Sequence, residues 1–269
     1  MIGSSRTSLA LLGEDLKAKF GDPGLAVAGG ELLEVADLLT REKQLSSTLS
    51  DAGQSAQERK HIMADLLSDR VSALTLEVSE TIVGLRWSSE SDLVDALEYA
   101  GAEALYGAAE ADGELDRVED ELFRFNQILA SDGELQLALS SPGLPPATKN
   151  QILSDLLTDK VAKPTLTLLS YISGHLRGRR IEQTVGRFTE LAADRRGKLL
   201  AVVQSARPLT QDQTDRLARA LAGKYDREVA INAEVNPALV GGVSVQIGDD
   251  VIDGSIANRL DQVRRRVTG

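Results

Sequence analysis

Apolar positions recur at helical spacing along the first three quarters of the chain and at strand spacing in the last quarter. Leu9, Leu12, Leu16 and Phe20 stand at i, i+3, i+7 and i+11, one face of a helix over residues 6–20. Gly21-Asp22-Pro23-Gly24 stops that helix with turn chemistry. Residues 26–30 are small and read as a flexible segment; a phosphate-cradling glycine loop needs a strand before it, and none is patterned there. From residue 31 to about 111 the spacing is helical again, opening with Leu32, Leu33, Val35, Ala36 and Leu39. Asp51-Ala52-Gly53 breaks it. Ser55-Ala56-Gln57-Glu58 then forms a capping box, in which hydroxyl and carboxylate satisfy free backbone donors of the helix carrying Ile62, Leu66 and Leu67. Further helices are predicted over 72–86 and 90–111, and the helical pattern runs on to about Arg196.

Sliding the chain by 90 residues aligns 45–71 with 135–161 without a gap, and ten of those 27 positions are identical. Among them are Gly53/Gly143, Asp65/Asp155, Leu66/Leu156 and Asp69/Asp159, so the match reaches beyond a shared leucine period. Where the first copy has its capping box, the second has Pro145-Pro146; proline at a first helical turn lacks an N–H that would be unpaired there anyway. Leu76/Leu166, Ile82/Ile172 and Gly84/Gly174 keep the register. The helical unit is duplicated.

Beyond residue 196 the period changes. Residues 198–203 form a short β-like run. Thr210 and Gln213 cap a helix with Leu217, Leu221 and Tyr225 on one face. Val229, Ile231, Ala233 and Val235 alternate, as do Val243, Val245 and Ile247. A last helix carries Ile256, Leu260, Val263 and Val267. Strand, helix, two strands, helix make a small α+β domain at 197–269 behind a helical domain at 1–196. Within the latter we assign a first helix at 6–20, an extra unit at about 31–112 and a second unit at about 113–196.

Composition narrows the function. No run approaches the ~18 apolar residues that span a bilayer, so membrane association is expected only through partners. The N-terminal stretch lacks a signal-peptide pattern. The chain has no cysteine, which excludes disulfides and thiolate metal sites. Its net charge of −11 is unevenly spread. Residues 1–140 carry 11 Lys+Arg against 27 Asp+Glu (net −16), and residues 141–269 carry 19 against 14 (net +5). The asymmetry reads either as two surfaces facing different partners or as an acidic face that serves solubility. The acidity speaks against nucleic acid, which asks for a dominant basic footprint.

Little in the sequence is reactive. His61 and His175 are the only histidines, and both fall in predicted helices, where surface positions are expected. Asp112-Gly113-Glu114 lacks the upstream acidic residues of a calcium loop. There is no Walker loop, nucleophile elbow or defined pair of catalytic carboxylates. We therefore assign no catalytic residue, no metal and no cofactor. Arg177, Arg179, Arg180, Arg187, Arg195, Arg196 and Lys198 form a basic belt at the end of the second unit, either solvated or facing a partner. In the closing stretch, Gly241 and Gly242 offer backbone freedom, and Asp253-Gly254-Ser255 is placed to cap the last helix. That stretch reads as a structural corner.

The same stretch carries a resemblance. Asn236, Leu239, Gly241-Gly242-Val243, Val245-Gln246 and Gly248, followed by Val251-Ile252-Asp253-Gly254-Ser255, resemble the C-terminal signature of the delta subunit of F-type ATP synthases. This is the family of the oligomycin-sensitivity-conferring protein. Ser205-Ala206-x-Pro208-Leu209-Thr210, Gly178-Arg179, and Leu139-Ser140-Ser141-Pro142 with Lys149 are similar to further family segments, and residues 8–20 to its first helix. Asn236 stands where the family usually has Asp. Most members carry one helical unit, so the doubled unit resembles the enlarged actinobacterial form, here of the kind not fused to a membrane-anchored stalk subunit.

The resemblance implies a non-catalytic role. The subunit would join the alpha/beta catalytic head to the b-type subunit of the peripheral stalk, so that proton-driven rotation is coupled to ATP synthesis. It would lie peripherally at the cytoplasmic face of a bacterial plasma membrane. It also implies a groove for alpha-subunit segments between the first and fifth helices, which points to Leu9, Leu12, Leu16, Leu166, Leu169 and Ile172, with Leu76 and Ile82 as first-copy counterparts. The extra unit would add a second docking surface. A helical-repeat adaptor unrelated to ATP synthase is the alternative reading of the duplication.

Overall fold

Eleven helices follow one another through the first part of the chain: α1 (Ser4–Ala18), α2 (Leu25–Arg41), α3 (Lys43–Ser50), α4 (Ala56–Leu67), α5 (Ala73–Gly84), α6 (Glu90–Ala111), α7 (Leu115–Ser131), α8 (Gly133–Ser140), α9 (Pro146–Leu157), α10 (Lys163–Gly174) and α11 (Ile181–Arg195). This computed structural model describes residues 3–196, 199–225, 229–236, 239, 242–247 and 250–253. The chain divides into two units, Met1–Ala192 and Ala193–Gly269.

The helix bounds repeat with the sequence. Helices α2, α3, α4 and α5 begin at 25, 43, 56 and 73, and α7, α8, α9 and α10 begin 90 residues later, at 115, 133, 146 and 163. The shift also maps α1 onto the middle of α6, and α6 onto α11. The two copies therefore share one helix: α6 closes the first six-helix set and opens the second.

The local chemistry repeats as well. Glu31 on α2 accepts from the Ser72 N–H (2.9 Å), the Ser72 hydroxyl (2.7 Å) and the Thr75 hydroxyl (2.6 Å) at the start of α5. Ninety residues on, Glu121 accepts from the Ala162 N–H (2.8 Å) and the Thr165 hydroxyl (2.6 Å) at the start of α10. In each copy a carboxylate from a neighbouring helix satisfies the free donors of a helix N-terminus. Arg59 donates to the Val83, Gly84 and Leu85 carbonyls at the end of α5, and its counterpart Lys149 donates to Ser173 O (3.0 Å) at the end of α10. The Ser55–Glu58 capping box starts α4 as expected, and Pro146 opens α9.

One expectation is reversed. Residues 26–30 are not a flexible segment but the first turns of α2, at its closest approach to α6. A Cβ on Gly29 would stand 2.6 Å from Leu105 Cγ and 2.9 Å from Gly101 O; one on Gly101 would stand 2.9 Å from Leu33. Glycine serves here because two backbones nearly touch, and the buried Ala96, Ala100, Ala102 and Ala104 of α6 suit the same tight packing. The core around them is continuous from Leu12 to Ala192 and almost wholly aliphatic. Its few aromatic polar groups are bonded: Trp87 Nε1 donates to Ile82 O and Tyr106 Oη to Phe188 O.

The second unit holds β1 (Leu199–Ser205), α12 (Gln211–Tyr225), β2 (Val229–Val235), β3 (Val243–Ile247) and β4 (Asp250–Asp253). The sheet order is β2-β1-β3-β4, with β1 parallel to β2 and antiparallel to β3. The parallel β1–β2 pair requires a crossover, which α12 supplies. Thr210 and Gln213 cap α12 reciprocally, and Leu217, Leu221 and Tyr225 pack on a core of Ala201, Val203, Val229, Val245 and Ile247. The sequence pattern missed β4, because Val251 and Ile252 are its only apolar residues; it pairs with β3 from Ser244↔Asp253 to Ile247↔Asp250. Asp253 ends this strand, and the helix it is expected to cap, that of Ile256, Leu260, Val263 and Val267, lies outside the described residues.

Candidate partner interfaces

The six groove positions divide by burial. Leu12, Leu16, Leu169 and Ile172 are core residues, while Leu9 and Leu166 are half-buried against that core. Helix α1 packs on α5 and α6, and α10 packs on α9, α7 and α6. The helix that meets the fifth helix of the second copy is α6, as α1 meets α5 in the first. Leu76 and Ile82, on α5, are half-buried and buried respectively.

Beside the α6–α10 seam lies an open groove of ≈ 840 Å³. Leu166 and Pro164 of α10, Leu105 and Ala108 of α6, and Val27 of α2 give it an apolar floor and wall, and Val27 is 57% exposed. Asp112, Glu114, Arg117, Asp159 and Lys163 supply a rim of mixed charge. Asp159 adopts φ 62°, the left-handed region that a non-glycine residue rarely enters. An apolar trough with a charged rim is the shape that takes the apolar face of an amphipathic helix.

The basic belt does not stand as one surface. Arg177 and Arg179, in the turn after α10, face back into the helices and meet acids on α6. Arg179 makes a two-pronged contact with Glu98, Nη1 to Oε2 at 2.8 Å and Nη2 to Oε1 at 2.9 Å. Arg177 donates to the same Glu98 (2.9 Å) and to Asp95. Glu98 is 2% exposed and also accepts from the Tyr171 hydroxyl at 3.0 Å. Burial pushes the Tyr171 phenol far up, and the Glu98 charge adds to it; Arg177 and Arg179 pull the other way. Arg180, by contrast, is exposed, with Glu182 at 3.4 Å. Arg187 approaches Asp95 at 3.9 Å, and Arg195 and Arg196 are half-buried. Lys198 is outside the described residues.

His175 is not on a helix surface. It caps the C-terminus of α10, stacks on Tyr171 with 4.6 Å between ring centroids, and places Nε2 2.8 Å from Asp37 Oδ1 on α2. The link joins the two copies. His61 is exposed, with Asp65 one turn away at 3.5 Å. The sequence missed Asp37, Asp95 and Glu98 as partners, since nothing local sets them apart from other surface acids.

In the small unit, parts of the signature converge. Ser205 at the end of β1, Pro208 and Leu209 from the turn after it, and Gly242 and Val243 at the start of β3 line one recess of ≈ 550 Å³, with exposed Arg207 beside it. Gly242 has φ 83°, so its glycine answers a backbone need. Asn236 closes the corner: its N–H donates to Ser205 O (2.8 Å), its Nδ2 donates to Gln204 Oε1 (3.1 Å), and its carbonyl accepts from the Leu239 N–H. Gly241, Gly248, Gly254 and Ser255 lie outside the described residues. Among the described residues, no group of three or more His, Asp or Glu side chains could hold a metal ion, and no helix is long and apolar enough to cross a membrane.

ATP synthase subunit delta of Thermobifida fusca (strain YX) is 40% identical over 269 residues, 100% of both chains. That of Streptomyces coelicolor is 41% identical over 270 residues, 99% of this chain and 98% of its own. A chain of the cryo-EM structure of the Toxoplasma gondii mitochondrial ATP synthase hexamer matches 62% of this chain and 95% of its own, at 21% identity and a TM-score of 0.43. The family model "ATP synthase delta (OSCP) subunit" matches residues 97–267, beginning inside α6. That match takes in the second copy and the small unit, while the relatives above span the doubled form entire. On these grounds the chain belongs to the ATP synthase delta (OSCP) subunit family.

Proposed function

We propose that this chain, a non-catalytic peripheral-stalk subunit of the ATP synthase, grips the alpha/beta head with its helical unit and a b-type stalk subunit with its small unit. The observation that carries the reading is the trough between α6 and α10, whose walls on those two helices lie within the residues that the family model matches. An alpha-subunit segment folded as an amphipathic helix would set its apolar face on Leu166, Leu105 and Val27. The recess under Pro208 and Gly242 is the corresponding seat for the stalk. The first copy, which holds most of the acidic excess, adds a second docking surface. We place the subunit peripherally at the cytoplasmic face of a bacterial membrane, reached through its partners. Nothing favours the adaptor reading.

The test is Val27→Glu in the full chain, with binding to isolated head measured beside thermal unfolding. Val27 is already exposed, so stability is expected to hold. A carboxylate facing an apolar helix is expected to weaken head binding about tenfold, roughly 1.4 kcal/mol, and to leave stalk binding alone. Unchanged head affinity would remove the trough from the interface.

A further inference from the structure

The trough beside α6 and α10 has an equivalent place in the first copy, ninety residues earlier, along the α1–α5 seam. Part of its lining is kept there: Leu166 corresponds to Leu76, Val161 to Val71 and Ala108 to Ala18. Three lining residues are not kept. Leu105, Ala109 and Thr167 correspond to Asp15, Lys19 and Glu77. In the first copy those three side chains meet. The Lys19 ammonium lies 3.7 Å from Asp15 Oδ2 on α1 and 2.5 Å from Glu77 Oε1 on α5, and the lysine side chain is only 14% exposed. An ion cluster therefore ties α1 to α5 where the second copy offers leucine, alanine and threonine. An apolar helix laid across it would strip water from three charges and give them no bond in return, which opposes whatever apolar contact it gains.

The second copy's trough also has a neighbour of its own. Ala26 and Val27, on α2 of the first copy, line one side of it, so the two copies build this seat together. Its rim is unevenly charged. Three acids, Asp112, Glu114 and Asp159, stand against two bases, Arg117 and Lys163, and Arg117 is already held by Glu114 and Glu121. A guest helix matches that rim when lysine or arginine flanks its apolar face. Resting on the trough reading above, we infer that the doubled chain seats one amphipathic helix of an alpha subunit, edged with basic residues, and not two. The α6–α10 trough takes it, and Asp15, Lys19 and Glu77 bar the equivalent seam of the first copy. Duplication thus gives one seat walled by both copies rather than two equal seats, and docking by the first copy uses another face.

The experiment screens overlapping synthetic peptides of the alpha subunit against the full chain, then counts sites for the tightest binder by calorimetry. One peptide per chain is expected, with Val27→Glu weakening it about tenfold. Asp112→Asn together with Asp159→Asn should weaken it about threefold, and added salt should narrow that difference. Asp15→Leu, Lys19→Ala and Glu77→Thr in one chain write the second copy's residues into the first and should raise the count to two. Thr167→Glu, at a half-buried position of the trough, writes one first-copy residue into the second and should weaken the native site about tenfold. Two sites in the parent, a single site in the folded triple variant, or unchanged affinity in Thr167→Glu overturns the one-seat inference and leaves the trough reading standing. A parent that binds no peptide, or binds it equally well as Val27→Glu, overturns the trough reading and this inference with it. The parent's count and Thr167→Glu decide the matter even where the triple variant does not fold.

Discussion

The α2–α6 crossing yields a prediction of opposite sign at adjacent residues. Gly29 and Gly30 both lie in α2, and both lose about 1 kcal/mol of helix propensity relative to alanine. At Gly30 an added Cβ meets nothing within 4 Å, so Gly30→Ala should gain most of that amount. At Gly29 the same methyl would lie 2.6 Å from Leu105 Cγ and 2.9 Å from the Gly101 carbonyl. Cγ is a branch point close to the backbone and the carbonyl belongs to α6 itself, so the helices must separate locally. Overpacking of this kind costs about 1–3 kcal/mol, and the carbonyl contact puts Gly29→Ala in the upper part of that range. Set against the propensity gain, the net loss is about 1–2 kcal/mol. Urea unfolding followed by helical circular dichroism measures both, with the midpoint moving at constant slope. If Gly29→Ala is stabilised as much as Gly30→Ala, the backbones are not in contact and the account of this crossing is wrong.

Two further outcomes follow from the polar groups. Glu98→Ala leaves two arginines facing inward with only Asp95 between them, and should cost about 3–5 kcal/mol. Arg180→Ala, at an exposed pair, should fall within about 0.5 kcal/mol by the same unfolding assay. The Glu31 carboxyl is drawn up by burial, but the bonds from Thr75 and Ser72 outweigh this and hold it below its ordinary 4.5. A carboxyl lowered in the folded state adds stability that is whole above 4.5 and is lost as pH falls through the folded value. Glu31→Gln should therefore flatten the stability profile below 4.5, relative to the parent, and change its slope little above.

The sequence revealed whatever was decided within a few residues. Ser55 and Glu58 read as a cap because both halves of the device sit one turn apart, and Thr210 with Gln213 for the same reason. The repeat was visible in 45–71 because those helices face the same neighbours in both copies. The shared helix was not: α1 and the matching stretch of α6, residues 4–18 and 94–108, agree only at Ala10/Ala100 and Ala18/Ala108. Helix α6 has two sets of neighbours to satisfy, and its alanines and glycine suit the crossing with α2 rather than its descent. Arg177 and Arg179 looked like surface because their partners, Asp95 and Glu98, lie about 80 positions away. Gly29 looked loose because its local propensity is poor, and only contact with α6 explains why it is helical.

Duplication usually makes beads on a string, with a linker that can flex under load. Here no string exists between the copies. A force passing from the first copy to the second can run along α6, a rod of about 33 Å at 1.5 Å per residue, and across the His175–Asp37 link beside it. To turn one copy against the other, that rod would have to bend or strip itself from a core it belongs to on both sides. The doubled form therefore adds a second copy without adding a linker between the two, a property that suits a part that must stay still while its neighbours turn.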